Sequence, residues 1–147
     1  MKVLAALDQS DYGEFVLNKA IKTTRQQNAK LDIVVVVEES SHERDSADSE
    51  QNLEKRFQDA TRTARSYQQQ ATAQGVKAKV RVFSGKSAAE EIINYQKSEN
   101  LDLIVLGRRS KTHRSPIPLG PVAEEVVAHA TCTVMVVRCM EEKDLAD

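Results

Sequence analysis

The chain has few aromatic residues: it contains no tryptophan, three phenylalanines and three tyrosines among 147 residues. No aromatic run alternates with basic residues and the formal net charge is -1, so a nucleic-acid partner is not expected. Apolar runs stay well below the roughly 20 residues that cross a bilayer. The first residues turn polar at Asp8, too early for a secretory signal. We therefore expect a cytoplasmic protein with no membrane partner.

Proline, glycine and cysteine are also scarce, with three, five and two copies respectively. No Pro- or Gly-rich linker divides the chain, which predicts one domain over residues 1–147. Cys132 and Cys139 are seven positions apart, about 23 Å along an extended strand, which is too far for a disulfide. We expect both to be reduced structural residues, with redox sensing as the alternative.

The apolar residues alternate between strand-like and helix-like patterns along the whole chain. Strands are predicted at about 3–7, 31–37, 76–83, 102–106 and 133–137, with helices at about 11–27, 51–75, after 87 and at 122–130. One stripe of the second helix, including Phe57, and an apolar face of the last, including Val127, are expected to be buried. Ser87 and Glu90 form a capping box. This order predicts a five-stranded parallel sheet with helices on both faces.

The run from 38 to 50 carries six acids and one arginine and is predicted to be a solvated loop. Several of its side chains have metal-compatible atoms, namely His42, Glu43, Asp45, Asp48 and Glu50. Their spacing matches no recognised ligand set, so no metal site is expected there.

The segment from Gly107 to Gly120 is the strongest candidate for a binding site. In a parallel sheet, ligands bind beyond the carboxyl ends of the strands, and this segment joins a buried strand to a new helix. Glycines let backbone amides approach a ligand, and a helix N-terminus attracts anions. Four basic residues, Arg108, Arg109, Lys111 and Arg114, add positive charge. The pattern favours phosphate binding.

The start Val3-Leu-Ala-Ala-Leu-Asp-Gln-Ser10, the end Cys132-Thr-Val-Met-Val-Val-Arg138 and the Gly107 to Gly120 spacing together resemble the universal stress protein family over essentially the whole chain. The resemblance implies a Rossmann-like fold of the adenine nucleotide alpha hydrolase type. It also implies a homodimer, often paired through the final strand. Many members bind ATP with a loop that reads Gly, two residues, Gly, nine residues, then Gly followed by Ser or Thr. This chain keeps the spacing but has Ser110 and Pro121 at two of those positions.

Carried over by position, the resemblance places an adenine and ribose region at Ala6, Asp8, Val36, Leu106 and Gly107, and a phosphate region at Arg109, Ser110, Gly120, Pro121 and Val122. Proline offers neither an amide hydrogen nor a hydroxyl. Two lost charge-assisted hydrogen bonds, at about 1.5 to 3 kcal/mol each, weaken binding by two or more powers of ten. We therefore expect no cofactor of high affinity, with ATP or AMP as the weaker alternatives.

Three functions remain open at this point. The favoured one is a dimeric regulatory or stress-response protein whose nucleotide site is weak or lost and which acts through an unidentified protein partner. The second is an ATP- or AMP-binding regulator that uses residues 107–122. The third is a phosphate-transferring enzyme, for which Asp8 is the only identifiable acid. No nucleophile and base occur in a recognisable local motif, so we expect no enzyme.

Overall fold

The structure, a computed structural model, describes residues 1–10, 12–39, 49–108 and 119–138. Strands and helices alternate along these residues. In chain order they are β1 (Lys2–Leu7), α1 (Tyr12–Gln26), β2 (Lys30–Glu38), α2 (Ser49–Ala73), β3 (Ala78–Gly85), α3 (Ala88–Ser98), β4 (Leu103–Gly107), α4 (Pro121–His129) and β5 (Thr133–Val137). The predicted alternation is confirmed, and its bounds differ from the observed ones by two residues or fewer.

The five strands form one parallel sheet in the order β3-β2-β1-β4-β5. Ala5 of β1 lies at the centre, opposite Ile33 of β2 on one side and Val105 of β4 on the other. The chain first builds outward from β1 to β3, then crosses to the other side of β1 for β4 and β5. The strand order therefore reverses between β1 and β4, which is where open parallel sheets form a crevice at their carboxyl edge.

Helices cover both faces of the sheet, as predicted. Alternate strand residues point to opposite faces, so Val3 and Ala5 pack with α1 and α2 while Leu4 packs with α3 and α4. Leu17 and Ile21 of α1 are fully buried against the first face. This arrangement leaves the carboxyl edge of the sheet, where the four helices begin, as the place for a site.

Three helices end with a residue in the left-handed conformation. Asn28 follows α1 at φ 50°, Gly75 follows α2 at φ 81° and Asn100 follows α3 at φ 53°. After α2, the Val76 amide donates to the Ala71 carbonyl at 2.9 Å, which closes the last turn. At the other end of α3, the Ser87 hydroxyl accepts from the Glu90 amide at 3.2 Å, so the predicted helix start is confirmed.

Gln96 connects the end of α3 to the segment between α4 and β5. Its side chain is 4% exposed. Nε2 donates to the Leu101 carbonyl at 3.1 Å, and Oε1 accepts from the Thr131 amide at 3.4 Å and hydroxyl at 3.2 Å. Both the nitrogen and the oxygen of this buried amide are therefore hydrogen-bonded. The contact is specific, because losing any partner would leave a buried polar group unpaired.

Two predictions of buried apolar residues were wrong. Phe57 of α2 is 37% exposed and Val127 of α4 is 48% exposed. Helical periodicity identifies the side of a helix that faces the protein, but it does not show how far the sheet extends beneath each turn. Both residues follow the apolar spacing yet remain exposed to solvent.

Other sequence predictions fall partly or wholly on residues that are not described. These include most of the acidic run, at 40–48, and Cys139. Cys132 is a free, partly buried cysteine, and burial raises the pKa of its thiol, which fits a structural residue.

Within the described ranges, no helix combines the length and apolar character that spanning a bilayer requires.

Candidate functional site

A cleft of about 620 Å³ opens at the carboxyl edge of the sheet, between the ends of β1, β2 and β4 and the starts of α1, α3 and α4. This volume is typical of sites for small molecules. Eight of the ten residues predicted for nucleotide binding line it: Ala6, Asp8, Val36, Leu106, Gly107, Gly120, Pro121 and Val122. The other two, Arg109 and Ser110, lie outside the described residues.

The turn between β1 and α1 fixes the Asp8 carboxylate at the mouth of the cleft. Oδ1 accepts from the Ser10 amide at 3.0 Å and from the Ser10 hydroxyl. The Ser10 hydroxyl oxygen in turn accepts from the Tyr12 amide at 3.3 Å, at the start of α1. Asp8 is exposed even though its carboxylate is held in place. The turn therefore presents an oriented acceptor to a ligand.

Tyr67 of α2 supports this turn from beneath. It is 5% exposed and its hydroxyl donates to the Asp8 carbonyl at 2.7 Å. Burial raises the pKa of Tyr67 to about 12, with the charges of Asp8 and Glu14 adding to the effect. A Cβ on Gly13 would lie 2.1 Å from the Tyr67 hydroxyl oxygen and 2.8 Å from the Asp8 carbonyl oxygen. Gly13 is therefore required by this close approach of α1, α2 and the end of β1.

Glu38 ends β2 and reaches the start of α3. Its Oε1 accepts from the Ala88 amide at 2.8 Å, and its carbonyl accepts from Nη2 of Arg56 at 2.8 Å. The adjacent Glu39 amide donates to the Gly85 carbonyl at 2.8 Å, which fixes the backbone on the side of β3. The first amide of α3 is thus occupied by a carboxylate of the protein itself.

The start of α4 is built differently. Its N-cap residue is Gly120, which makes no side-chain cap hydrogen bond, and Pro121 occupies the first helical turn. Gly120 is fixed through its amide, which donates to the Arg108 carbonyl at 2.8 Å. The Val122 and Ala123 amides have no acceptor within the helix, because they belong to its first turn. Both residues line the cleft, so this helix start faces it without an acidic or hydroxyl cap.

A family model described as the universal stress protein family matches residues 1–138. The chain belongs to the universal stress protein family. The family predicted from the start, the end and the loop spacing is thereby confirmed.

The relatives agree with this assignment over nearly the full chain. Universal stress protein YxiE of Bacillus subtilis (strain 168) is 28% identical over 146 residues, which cover 93% of this chain and 98% of YxiE. Among solved structures, universal stress protein UspA from Lactobacillus plantarum aligns with a TM-score of 0.80 at 24% identity, covering 94% of this chain and 97% of UspA. These likenesses confirm the Rossmann-like fold of the family.

Solved neighbours include complexes with a nucleotide. The universal stress protein from Archaeoglobus fulgidus in complex with dAMP aligns with a TM-score of 0.67 at 18% identity, covering 92% of this chain and 96% of that protein. At this identity the likeness supports the shared fold.

Chemically, the cleft combines an apolar floor with separated charges. Ala6, Val36, Leu106 and Ile92 supply apolar surface suited to a flat, neutral ring. Three acids and two arginines line the walls: Asp8, Glu38, Glu125, Arg56 and Arg108. Among the described side chains, no group of three or more histidines, cysteines or acids could hold a metal ion.

Several cleft residues were missed by the sequence predictions. Tyr12, Arg56 and Ala88 line the cleft but come from helices rather than from the strand ends where the site was expected. The capping box at Ser87 was a usable signal, since it places the start of α3 at the carboxyl edge. Arg56 had no such signal, because α2 lies far away in the sequence and its register over the sheet is set by packing.

Proposed function

We propose that this protein is a regulatory universal stress protein that binds an adenine nucleotide weakly in the cleft and acts through protein partners. The proposal rests on the make-up of the cleft. It has an apolar floor and a fixed Asp8 carboxylate, but at the start of α4 Pro121 offers no donor to a phosphate. The related protein in complex with dAMP supports the choice of an adenine nucleotide.

The nucleoside part fits against the ends of β1, β2 and β4. Ala6, Val36 and Leu106 would contact the base, and burying such apolar area is favourable at about 25 cal/mol per Å². The Asp8 carboxylate would accept hydrogen bonds from sugar hydroxyls. Because Ser10 already fixes the orientation of this carboxylate, little side-chain conformational entropy is lost on binding.

The phosphate part would face the start of α4. The amides of Val122 and Ala123 and the guanidinium of Arg108 are the donors that the described residues offer there. Pro121 contributes none. A monophosphate needs fewer donors than a triphosphate, so the loss at Pro121 weakens ATP binding more than AMP binding.

Calorimetric titration with adenosine, AMP, ADP and ATP tests the proposal. We expect an ATP dissociation constant weaker than about 10 μM, because at about 1.5 to 3 kcal/mol per charge-assisted bond the two missing donors cost two or more powers of ten. Pro121→Ser, which restores both donors, should improve ATP affinity by about two powers of ten. Pro121→Ala, which restores the amide without the hydroxyl, should give an intermediate value.

Two results would count against the proposal. A low micromolar ATP constant for the unmodified protein would show that the donors lost at Pro121 do not weaken the site. Absence of heat for every ligand at millimolar concentration would show that the cleft does not bind nucleotides.

Hydrolysis is not part of the proposed function. Oδ1 of Asp8 is engaged by both donors of Ser10, which is the role of a helix-start acid rather than of a free base. A nucleotide hydrolysis assay with Asp8→Asn as control checks this. Turnover by the unmodified protein that the variant loses would favour the enzyme alternative.

A homodimer paired through β5 completes the proposal. This strand lies at the edge of the sheet, and its residues from Val134 to Val137 are only partly buried. Val137 directs its carbonyl towards β4, where it accepts from Arg108, so the backbone of Val136 points away from the sheet. Such an open apolar edge is satisfied by pairing around a two-fold axis.

The dimer has a direct test in Val136→Pro, which removes an outward-facing amide that β4 does not use. We expect light scattering to report a dimer for the unmodified protein at tens of micromolar and a monomer for the variant. Circular dichroism of the variant should retain the helical signal. A monomeric unmodified protein at that concentration would refute pairing through β5.

A further inference from the structure

We infer that Glu38 determines ligand specificity in the cleft: its fixed carboxylate keeps anionic groups away from the α3 side and disfavours ligands that carry several phosphates. The inference rests on the proposed nucleotide function and deepens it. It starts from a difference between the two helix starts on this face of the sheet.

Glu38 is held in place by one hydrogen bond to its carboxylate and by two to the backbone around it. Its Oε1 accepts from the Ala88 amide at 2.8 Å, and its carbonyl is fixed by Arg56 at 2.8 Å. The next residue, Glu39, is bound to Gly85 of β3 at 2.8 Å. Because the backbone and one carboxylate oxygen are both anchored, the negative charge stays at the cleft wall.

The two helix starts therefore offer different surroundings to an anion. At α3, Glu38 occupies the first amide and Ser87 occupies that of Glu90, so the helix start already has a carboxylate. At α4, Gly120 provides no side-chain cap and Pro121 carries no charge; the first-turn acid Glu124 is exposed and does not line the cleft, although Glu125 of the same helix does. A phosphate group is repelled at the first and tolerated at the second.

Among the residues that the structure describes, the cleft lining does not compensate for Glu38. Its described lining residues include three acids, Asp8, Glu38 and Glu125, against two arginines, Arg56 and Arg108. One of the two, Arg56, donates to the carbonyl of Glu38 and so lies beside the same wall. Repulsion between like charges grows with the charge of the ligand, so the penalty is absent for adenosine, moderate for AMP and largest for ATP.

The test compares Glu38→Gln with the unmodified protein by calorimetry. Glutamine keeps an oxygen that can accept from the Ala88 amide but removes the charge. We expect ATP affinity to rise about tenfold, AMP affinity about threefold and adenosine affinity by less than about 1.5-fold. The gain for ATP should shrink towards twofold in about 1 M salt, where the screening length falls to about 3 Å.

Glu90→Gln is the matched control. Glu90 is an exposed acid in the first turn of α3, near the amide that Glu38 binds, and it does not line the cleft. We expect it to change affinity for all three ligands by less than about twofold. Glu38→Ala, which removes both charge and acceptor, should repeat the order of the gains and guards against a defect peculiar to glutamine.

A uniform gain for all three ligands, or no gain for ATP, would overturn the role of Glu38. If the unmodified protein binds no adenosine and no AMP, the proposed function fails separately. Titration with inorganic tripolyphosphate then decides the Glu38 inference alone. Tighter binding to Glu38→Gln than to Glu90→Gln would support it, and equal binding, or none to either variant, would overturn it.

Discussion

Replacing Gly13 with alanine tests how closely α1, α2 and the end of β1 approach one another beside the cleft. The new Cβ would lie 2.1 Å from the Tyr67 hydroxyl oxygen and 2.8 Å from the Asp8 carbonyl oxygen. These two atoms form the 2.7 Å hydrogen bond that supports the β1 turn. The substitution therefore affects the hydrogen bond through which Tyr67 of α2 holds Asp8.

The expected cost follows from two opposing effects. Overpacking a well-packed site costs about 1 to 3 kcal/mol. Alanine regains about 0.5 to 1 kcal/mol over glycine within a helix. We expect Gly13→Ala to lower the free energy of unfolding by about 1 to 2 kcal/mol, and Tyr67→Phe, which removes one hydrogen bond, by about 0.5 to 1.5 kcal/mol.

The decisive measurement is the double variant. Once the Tyr67 hydroxyl is removed, the nearest side-chain atom to the new methyl is Cζ of residue 67, at 3.0 Å. The clash is then smaller, although the new methyl still lies 2.8 Å from the Asp8 carbonyl oxygen. The double variant should be about 1 kcal/mol more stable than the sum of the single effects predicts. Urea unfolding followed by circular dichroism gives all four free energies.

Gly75 provides the matched control. It has φ 81° and nothing lies within 4 Å of an added Cβ, so Gly75→Ala should cost about 1 kcal/mol from backbone strain. Its effect should add to that of Tyr67→Phe without coupling. Strict additivity of Gly13→Ala with Tyr67→Phe, or a stabilising effect of Gly13→Ala alone, would refute the close approach at Gly13.

Further predictions concern other links in the fold. Burial raises the pKa of both Tyr67 and Tyr95 to about 12, with a hydrogen bond to Asp32 adding to the shift of Tyr95. Since the folded state holds these protons more tightly, their stabilisation is complete below about pH 10 and is lost as the pH rises to about 12, which ultraviolet titration and alkaline unfolding would reveal. Gln96→Ala should lower the free energy of unfolding by about 2 kcal/mol in urea, because it leaves buried groups without partners. Ser87→Ala should cost about 1 kcal/mol through loss of the α3 cap, and an effect near zero in the same assay would contradict that role.

Much of the fold was predictable because it depends on local patterns. β-branched runs and apolar spacing identified the order of strands and helices, and the turn residues limited errors in their bounds. The exact order of strands in the sheet was not predicted, since it depends on which strands pair across long stretches of chain. Phe57 illustrates the same limit, because its exposure depends on tertiary packing and not on its spacing along α2.

The site was predictable where strands end and where α4 begins. Asp8, Val36 and Leu106 lie at or near the carboxyl ends of strands, and the family resemblance named them. Tyr67 and Arg56 both lie in α2. Tyr67 bonds Asp8, which is 59 positions away in the sequence, and Arg56 bonds Glu38, which is 18 positions away. Nothing in their local sequence indicates those contacts, because they depend on tertiary packing.

The hydrogen bonds of Gln96 also have a consequence for the thermodynamics of ligand capture. The helices α3 and α4 both begin at the cleft, and Gln96 joins their far ends through Thr131. The wall made by these two helices is therefore held at both ends: at Ala88 by Glu38, and beyond His129 by the buried amide. A ligand meets a wall whose conformational entropy was already lost on folding, so ordering it takes little from the free energy of binding.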